Sequence, residues 1–422
     1  MPTPSPLRVA FLVNDLSLSG GMTVIVEHAR HLDARDDFAV SLVLVRELEE
    51  EAWRFEALAG IEILGFEAAR AREWDIVLST WWETAYRLFE LTSARYASFT
   101  QSLEDRFYVA GKPERLGASL VLDLPVSFVT EATWIKEALA ELRPGAPCHL
   151  VVNGIDKDVF APLDAVPDSD PSRPLRVLIE GNPRVWFKGV HAAVAAATAM
   201  EQPHVTTLVT ANRADAEGLA VDRVVGPLSQ RDLAALYAET DVLLKLSTVE
   251  GMFGPPLEAF HKGATCVVSE VTGHDEYVRH LENGLVVDWD DTRGTARALD
   301  LLAHDRALLA RLRAGALETA RAWPSWDDQG PRFAAALHAI AQDPPADPYD
   351  AARALSADLQ AASTLYAMQL AEREELIHRS ERMLRIKRLP GIAHVLRQWH
   401  RPTVQRHVAP RVMRRLKRLS GS

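Results

Sequence analysis

Cysteine is almost absent: there are two in 422 residues, Cys148 and Cys266. They stand far apart and fit no metal-ligand spacing, so neither a disulfide framework nor a zinc site is expected, and free thiols in a reducing compartment are. Long apolar runs are missing too. No stretch reaches the roughly 18 apolar residues in a row that a spanning helix needs. Residues 1–7 are Pro/Ser-rich and lack the basic-then-apolar order of a secretory leader. A cytoplasmic protein is the expectation. Positive charge is scarce over most of the chain, whose net charge is −11. An acidic body argues against nucleic acid as a partner. The exception is 379–422, where thirteen Lys/Arg face one Glu, so the tail carries +12 and the rest −23. No short-period repeat occurs.

What is present is apolar residue, 48% of the chain, in a length that suits two domains. Short, mostly apolar runs alternate with amphipathic stretches. Strands are predicted at 7–13, 40–45, 61–66, 75–80, 96–101, 127–130 and 149–153, and helices between them, for example at 24–32 and 84–91. Strands apolar on both faces, separated by helices, imply a parallel sheet covered on both sides. The stretch 161–174 is rich in Pro, Asp and Ser and reads as a linker. The alternation then restarts, with strands predicted at 175–179, 205–210, 224–227, 242–246, 265–269 and 285–287. The expected organisation is a first α/β domain over 1–160, a linker over 161–174, a second α/β domain over 175–342, and a helical extension over 343–422 with one long polar helix at 351–385. In such sheets ligands bind beyond the carboxyl ends of strands.

Three motifs sit at predicted strand ends. Glu250-Gly-Met-Phe-Gly-Pro-Pro-Leu-Glu258 sets two carboxylates around a Gly/Pro-rich loop that can open a helix. Backbone amides there suit anionic oxygens, and a carboxylate suits paired sugar hydroxyls; a tight strand–helix turn with a capping glutamate accounts for the spacing equally well. Gly181-Asn-Pro-Arg184-Val-Trp-Phe-Lys188-Gly189 places two cations where they can clamp a diphosphate, or simply be solvated. Ser19-Gly20-Gly21 suits close approach of a phosphate, or a plain turn. Asp168 and Asp170 have D-x-D spacing but fall in the linker, and no metal site is expected.

Taken together, these residues resemble retaining glycosyltransferases of the GT-B fold, family 4, over roughly residues 7–340. The matching pieces are Gly20-Gly21, Asn153-Gly-Ile-Asp156 with Phe160, Gly181…Arg184…Lys188-Gly189, the Glu-x7-Glu from Glu250 to Glu258, Gly273…Glu276, and Asn283-Gly-Leu-Val-Val287. The resemblance implies two Rossmann-like domains facing a cleft, and transfer of a hexose or deoxyhexose from a nucleotide-diphosphate sugar to a glycan or lipid-linked acceptor in polysaccharide biosynthesis, without a metal or other cofactor. It assigns Arg184 and Lys188 to the diphosphate, Glu250 to the donor sugar and Glu258 to the ribose. The amides of Phe253 and Gly254 would meet the sugar or distal phosphate, and the Gly20-Gly21 loop would close over the diphosphate. Glu250, Arg184 and Lys188 would carry the chemistry.

Two departures stand out. Arg184 and Lys188 are four apart where many relatives have five, and Gln101 stands where the family has a histidine. Ser79–Thr84 and Gln101…Tyr108 resemble rhamnosyltransferases of bacterial surface-glycan assembly more narrowly, which puts Trp81, Trp82 and Gln101 on the acceptor side. The basic tail, with cations among aliphatic residues, suits peripheral contact with an anionic membrane surface. An inverting GT-B transferase, a sugar-nucleotide epimerase and a non-catalytic glycan-assembly protein remain alternatives.

Overall fold

A computed structural model describes residues 5–16, 19–46, 58, 60–345 and 348–387. Within it the chain builds two all-parallel sheets. The first contains β1 (Leu7–Val13), β2 (Phe38–Leu44), β3 (Glu62–Gly65), β4 (Glu73–Ser79), β5 (Thr92–Thr100), β6 (Ser127–Thr130) and β7 (Cys148–Leu150), in the order β3-β2-β1-β4-β5-β6-β7. The second contains β8 (Leu175–Glu180), β9 (His204–Val209), β10 (Arg223–Val225), β11 (Val242–Lys245), β12 (Thr265–Ser269) and β13 (Gly284–Val287), in the order β10-β9-β8-β11-β12-β13. Each predicted strand is present, with ends shifted by a few residues.

Alternation along each strand explains the layering. In β1, Val9, Phe11 and Val13 enter one buried cluster and Ala10 and Leu12 another. A strand apolar on both sides must be covered on both sides. The helices of the first half are α1 (Gly20–Asp33), α2 (Phe66–Arg70), α3 (Trp82–Ala85), α4 (Pro113–Leu120) and α5 (Thr133–Leu142). Those of the second half are α6 (Val190–Thr198), α7 (Gln230–Ala238), α8 (Gly254–His261), α9 (Thr292–His304) and α10 (Arg306–Ala322).

The next helix, α11 (Trp326–Gln342), departs from the expected division at 342. Its Phe333, Ala334, Leu337 and Ile340 enter the core of the first sheet beside α1, where Phe333 stacks on His28 at 4.0 Å between ring centroids. The chain therefore crosses from the second sheet back to the first before the extension. An ionic group centred on the buried Asp241, just before β11, ties β8 and α10 to it, with the Arg176 and Arg313 guanidinium nitrogens 2.6 and 3.2 Å from Asp241 Oδ1. The final helix, α12 (Pro348–Lys387), leaves Leu359, Leu365, Tyr366, Met368 and Leu376 exposed. Residues 388–422, most of the basic tail, lie outside the described residues.

Three helix boundaries differ from expectation, each for a local reason. Helix α1 starts at Gly20, not residue 24, because the Ser19 side chain accepts from Met22 N at 3.1 Å and caps it. Helix α8 starts at Gly254, inside the Gly/Pro-rich loop itself, because prolines fit a first turn whose N–H groups lack intrahelical partners. The predicted 84–91 helix is only α3 followed by a 3₁₀ turn, Leu88–Glu90. There the Thr84 hydroxyl accepts from Thr80 N and Trp81 N and donates to Trp81 O, closing the turn locally.

Candidate active site

Each sheet reverses its strand order once, between β1 and β4 in the first and between β8 and β11 in the second. Loops at such switch points form ligand crevices. Gly20-Gly21 follows β1, Trp81-Trp82 follows β4, the Arg184/Lys188 segment follows β8, and Glu250 follows β11. Four stretches singled out in the sequence thus fall on the four strand ends that flank the two switch points.

In the second half the loop after β8 has little freedom. Gly189 has φ +63°, and a Cβ there would lie 1.9 Å from Leu246 O, so only glycine fits. Thr248 N donates to Phe187 O at 2.8 Å, joining the two loops. Lys188 Nζ consequently reaches both Glu250 carboxylate oxygens at 3.0 Å. Arg184 does not share that partner. Its side chain is 78% exposed, and its Nε lies 2.7 Å from Asp215, which follows β9.

Beneath Glu250 lies Lys245 of β11, a residue no sequence motif pointed to. It is 1% exposed, donates to the Glu180 carboxylate, and stands 3.8 Å from Glu250 Oε1. Burial opposes a carboxylate at Glu180, but Lys245 and Lys188 outweigh it and hold that carboxyl below its usual range. Glu258 is affected the other way: burial first, then the charge of Glu180, pushes it up to about 7.

Helix α8 begins where this loop ends. Phe253 is its fully buried N-cap, and Pro255 and Pro256 carry no N–H. The amide of Gly254 is therefore the helix's first free donor, and nothing lies within 4 Å of where its Cβ would be. Backbone there is open to approach by a ligand.

The facing wall comes from the first half. The Gly20-Gly21 segment is the first turn of α1, not a free loop. Gln101 Nε2 donates to Gly21 O at 3.1 Å and lies 3.4 Å from Glu131 Oε2. Glu131 also accepts from Asn153 Nδ2 at 2.9 Å and, across the cleft, from Met252 N at 3.1 Å. Burial raises its carboxyl to about 7 despite these donors. The two tryptophans diverge. Trp81 stacks on Phe107 at 5.8 Å, and Phe107 in turn meets Phe187 of the second half at 5.0 Å. Trp82 packs into the first half, with Nε1 donating to the Tyr108 hydroxyl and its main-chain N to Glu104. Burial pushes Glu104 up to about 8.

The two halves meet closely around Glu250–Phe253. Trp134 Nε1 donates to Gly251 O at 3.0 Å. Glu276 accepts from Thr133 N at 2.6 Å, Thr133 Oγ1 at 2.9 Å and Trp134 N at 3.3 Å, capping α5 from the other half. A Cβ on Gly251 would lie 1.9 Å from Gln101 O, and one on Gly273 2.0 Å from Gly251 O.

Residues 209–319 match the family described as "Glycosyl transferases group 1". The matched segment runs from the end of β9 through Glu250 and Glu258 into α10. Two curated relatives agree. The D-inositol 3-phosphate glycosyltransferase of Nocardioides sp. is 37% identical over 107 residues, which is 25% of this chain and 23% of that protein. The lipopolysaccharide core biosynthesis glycosyltransferase LpsE of Rhizobium meliloti is 34% identical over 83 residues, 20% of this chain and 24% of its own length. The matches thus span about a quarter of each relative. At the level of fold the likeness is far wider. HepE of Anabaena, solved with UDP and glucose, superposes with a TM-score of 0.63 at 15% identity, covering 79% of this chain and all of that one. The architecture is GT-B: two parallel Rossmann-like sheets, with helices following at the C-terminal end.

Lys245, Glu131 and Trp134 were not among the residues read from the sequence. Lys245 left a trace, a charge inside Val-Leu-Leu-Lys-Leu where a strand buried on both faces is expected to be apolar. Glu131 and Trp134 left none, because their partners are 121 and 117 positions away. Among the described residues no group of three or more His, Cys, Asp or Glu could hold a metal, and no helix is long and apolar enough to cross a membrane.

Proposed function

We propose that this protein transfers a hexosyl or deoxyhexosyl group from a nucleoside-diphosphate sugar to a glycan or lipid-linked acceptor, with retention and without a metal. The observation that carries the reading is the pairing of Lys188 with Glu250 at the second sheet's switch point, on the loop that leads into the Gly254 amide. A leaving diphosphate needs fixed positive charge and N–H donors. Lys188 supplies the charge, Gly254 an open amide, and Arg184 a second cation at the same strand end. Glu250 is the acceptor for hydroxyls of the donor sugar, and Glu258, deeper along α8, for those of the ribose. Trp81 and Gln101 form the acceptor side, while Trp82 supports it from behind. The narrower resemblance of Ser79–Thr84 to rhamnosyltransferases puts deoxyhexose donors first in any screen. HepE, with UDP and glucose, supports the donor class.

Two mutants test the division of roles within the motif. With purified protein and a panel of sugar nucleotides, Glu250→Ala should lower turnover while nucleoside diphosphate affinity is kept. Glu258→Ala should weaken that affinity. Equal losses of affinity in both would refute the assignment. Transfer should also survive excess EDTA, and the product anomer should match the donor's.

A further inference from the structure

Lys245 is the most deeply buried ammonium in the second half, yet the donor contacts above make no use of it. Its Nζ donates to the carboxylate and, at 3.3 Å, to the carbonyl of Glu180, and stands 3.8 Å from Glu250 and 6.0 Å from the Phe253 ring centroid. The alternation of β11 points it to the same side as Leu243, the side covered by α8. An aliphatic residue would fit that pattern at lower desolvation cost, since a buried ion pair is a poor source of stability. A reason other than stability is needed, and Glu250 supplies it.

Lys188 serves Glu250 with two of its three N–H donors. If Lys188 turns to a diphosphate, Glu250, whose side chain is only 10% exposed, loses its nearest cation. Removing one partner of a buried charge pair is strongly unfavourable. Lys245 cannot leave with the ligand, because Glu180 anchors it from below. The charged groups facing it are Glu180 from β8, Glu250 from the loop after β11 and Glu258 from α8. Burial works against its proton, but these carboxylates outweigh burial and raise its pKa.

We propose that Lys245 is a positioning residue of the donor site: the fixed counter-ion that holds Glu250 in place when Lys188 moves to the donor's diphosphate. This rests on the reading of the site as a donor site. It makes Lys188 mobile between two anions, and Lys245 the group that keeps Glu250 paired during the exchange.

The test compares two variants of the buried Lys245–Glu180 pair that leave no charge without a partner: a single variant in which Lys245 retains Glu250, and a double variant in which both charges are removed. Binding of UDP, GDP, ADP, CDP and dTDP is measured by calorimetry on the full chain. Glu180→Gln, which keeps Lys245 beside Glu250, should bind its preferred nucleoside diphosphate nearly as the native protein does. Lys245→Met/Glu180→Gln should bind it about tenfold more weakly, because Lys188 is then held on Glu250. Adding Glu250→Gln frees Lys188 and should bring affinity back to within about threefold. Equal affinity in Glu180→Gln and the double variant would show Lys245 to be Glu180's partner alone and overturn the proposal. A loss that Glu250→Gln does not relieve would show that Lys245 acts on the fold, and would overturn it too. If the native protein binds none of the five nucleotides, the donor-site reading itself falls, and the proposal with it.

Discussion

Two cations that look alike in the sequence occupy unlike places. Lys188 is partly shielded and bonded to Glu250, whereas Arg184 is largely in solvent and paired with Asp215. Charge-assisted contacts are worth most where water is excluded. Lys188→Ala should therefore cost roughly 2–5 kcal/mol of transition-state stabilisation. Arg184→Ala should cost clearly less, judged from kcat/KM with the best donor found; similar losses would mean that Arg184 leaves Asp215 when donor binds. Glu104 allows a test that needs no substrate. Burial keeps its proton on up to about pH 8 in the folded state, against 4.5 when unfolded. The folded protein thus binds a proton that the unfolded chain has released, so this group's contribution to stability declines as pH rises from about 4.5 to about 8. Glu104→Gln keeps an acceptor for Trp82 N and removes the titration. It should match the native protein near pH 4 and exceed it near pH 8 by an amount on the order of a few kcal/mol. Urea unfolding at the two pH values measures this, and an unchanged pH slope would count against it.

Helix termini do much of the joining. Helix α5 has no side-chain cap of its own, since Ala132 occupies its N-cap position, and Glu276 from the second half fills that role. Losing the side-chain acceptor at a helix N-terminus costs about 0.5–2 kcal/mol. Glu276→Ala should lower thermal stability by that amount and leave Trp134 less protected, seen as increased solvent exposure in its fluorescence. An unchanged melting temperature would mean that water replaces the cap. Helix α11 joins the halves on a larger scale. The partner of its apolar face was not legible in the sequence, because periodicity reports that a face is buried and never what buries it. His28, Phe99 and Phe333 meet there from three segments far apart in the chain.

For the molecule as a whole, charge is divided between an acidic body and a basic end. Cations near an anionic bilayer are each worth on the order of 1 kcal/mol before screening, and arginine stems lie readily along its surface. Co-sedimentation with vesicles should rise with anionic lipid, fall with salt and disappear when 379–422 is deleted, while transfer to a soluble acceptor persists. Binding indifferent to lipid charge would rule out this role for the tail. The strand count, the parallel character of each half and the placement of the motifs at strand ends all followed from the amino-acid sequence. These depend on local quantities: apolar period, β-branching, and glycine or proline at turns. The pairing of Lys188 with Glu250 but of Arg184 with Asp215, the counter-ion at Lys245, the acceptor role of Glu131 and the return of α11 to the first sheet were decided by tertiary structure alone. Each depends on which groups meet after residues tens to hundreds of positions apart are brought within a few ångströms. The energy of a charge depends on its partners and its distance from water, neither of which a linear spacing contains.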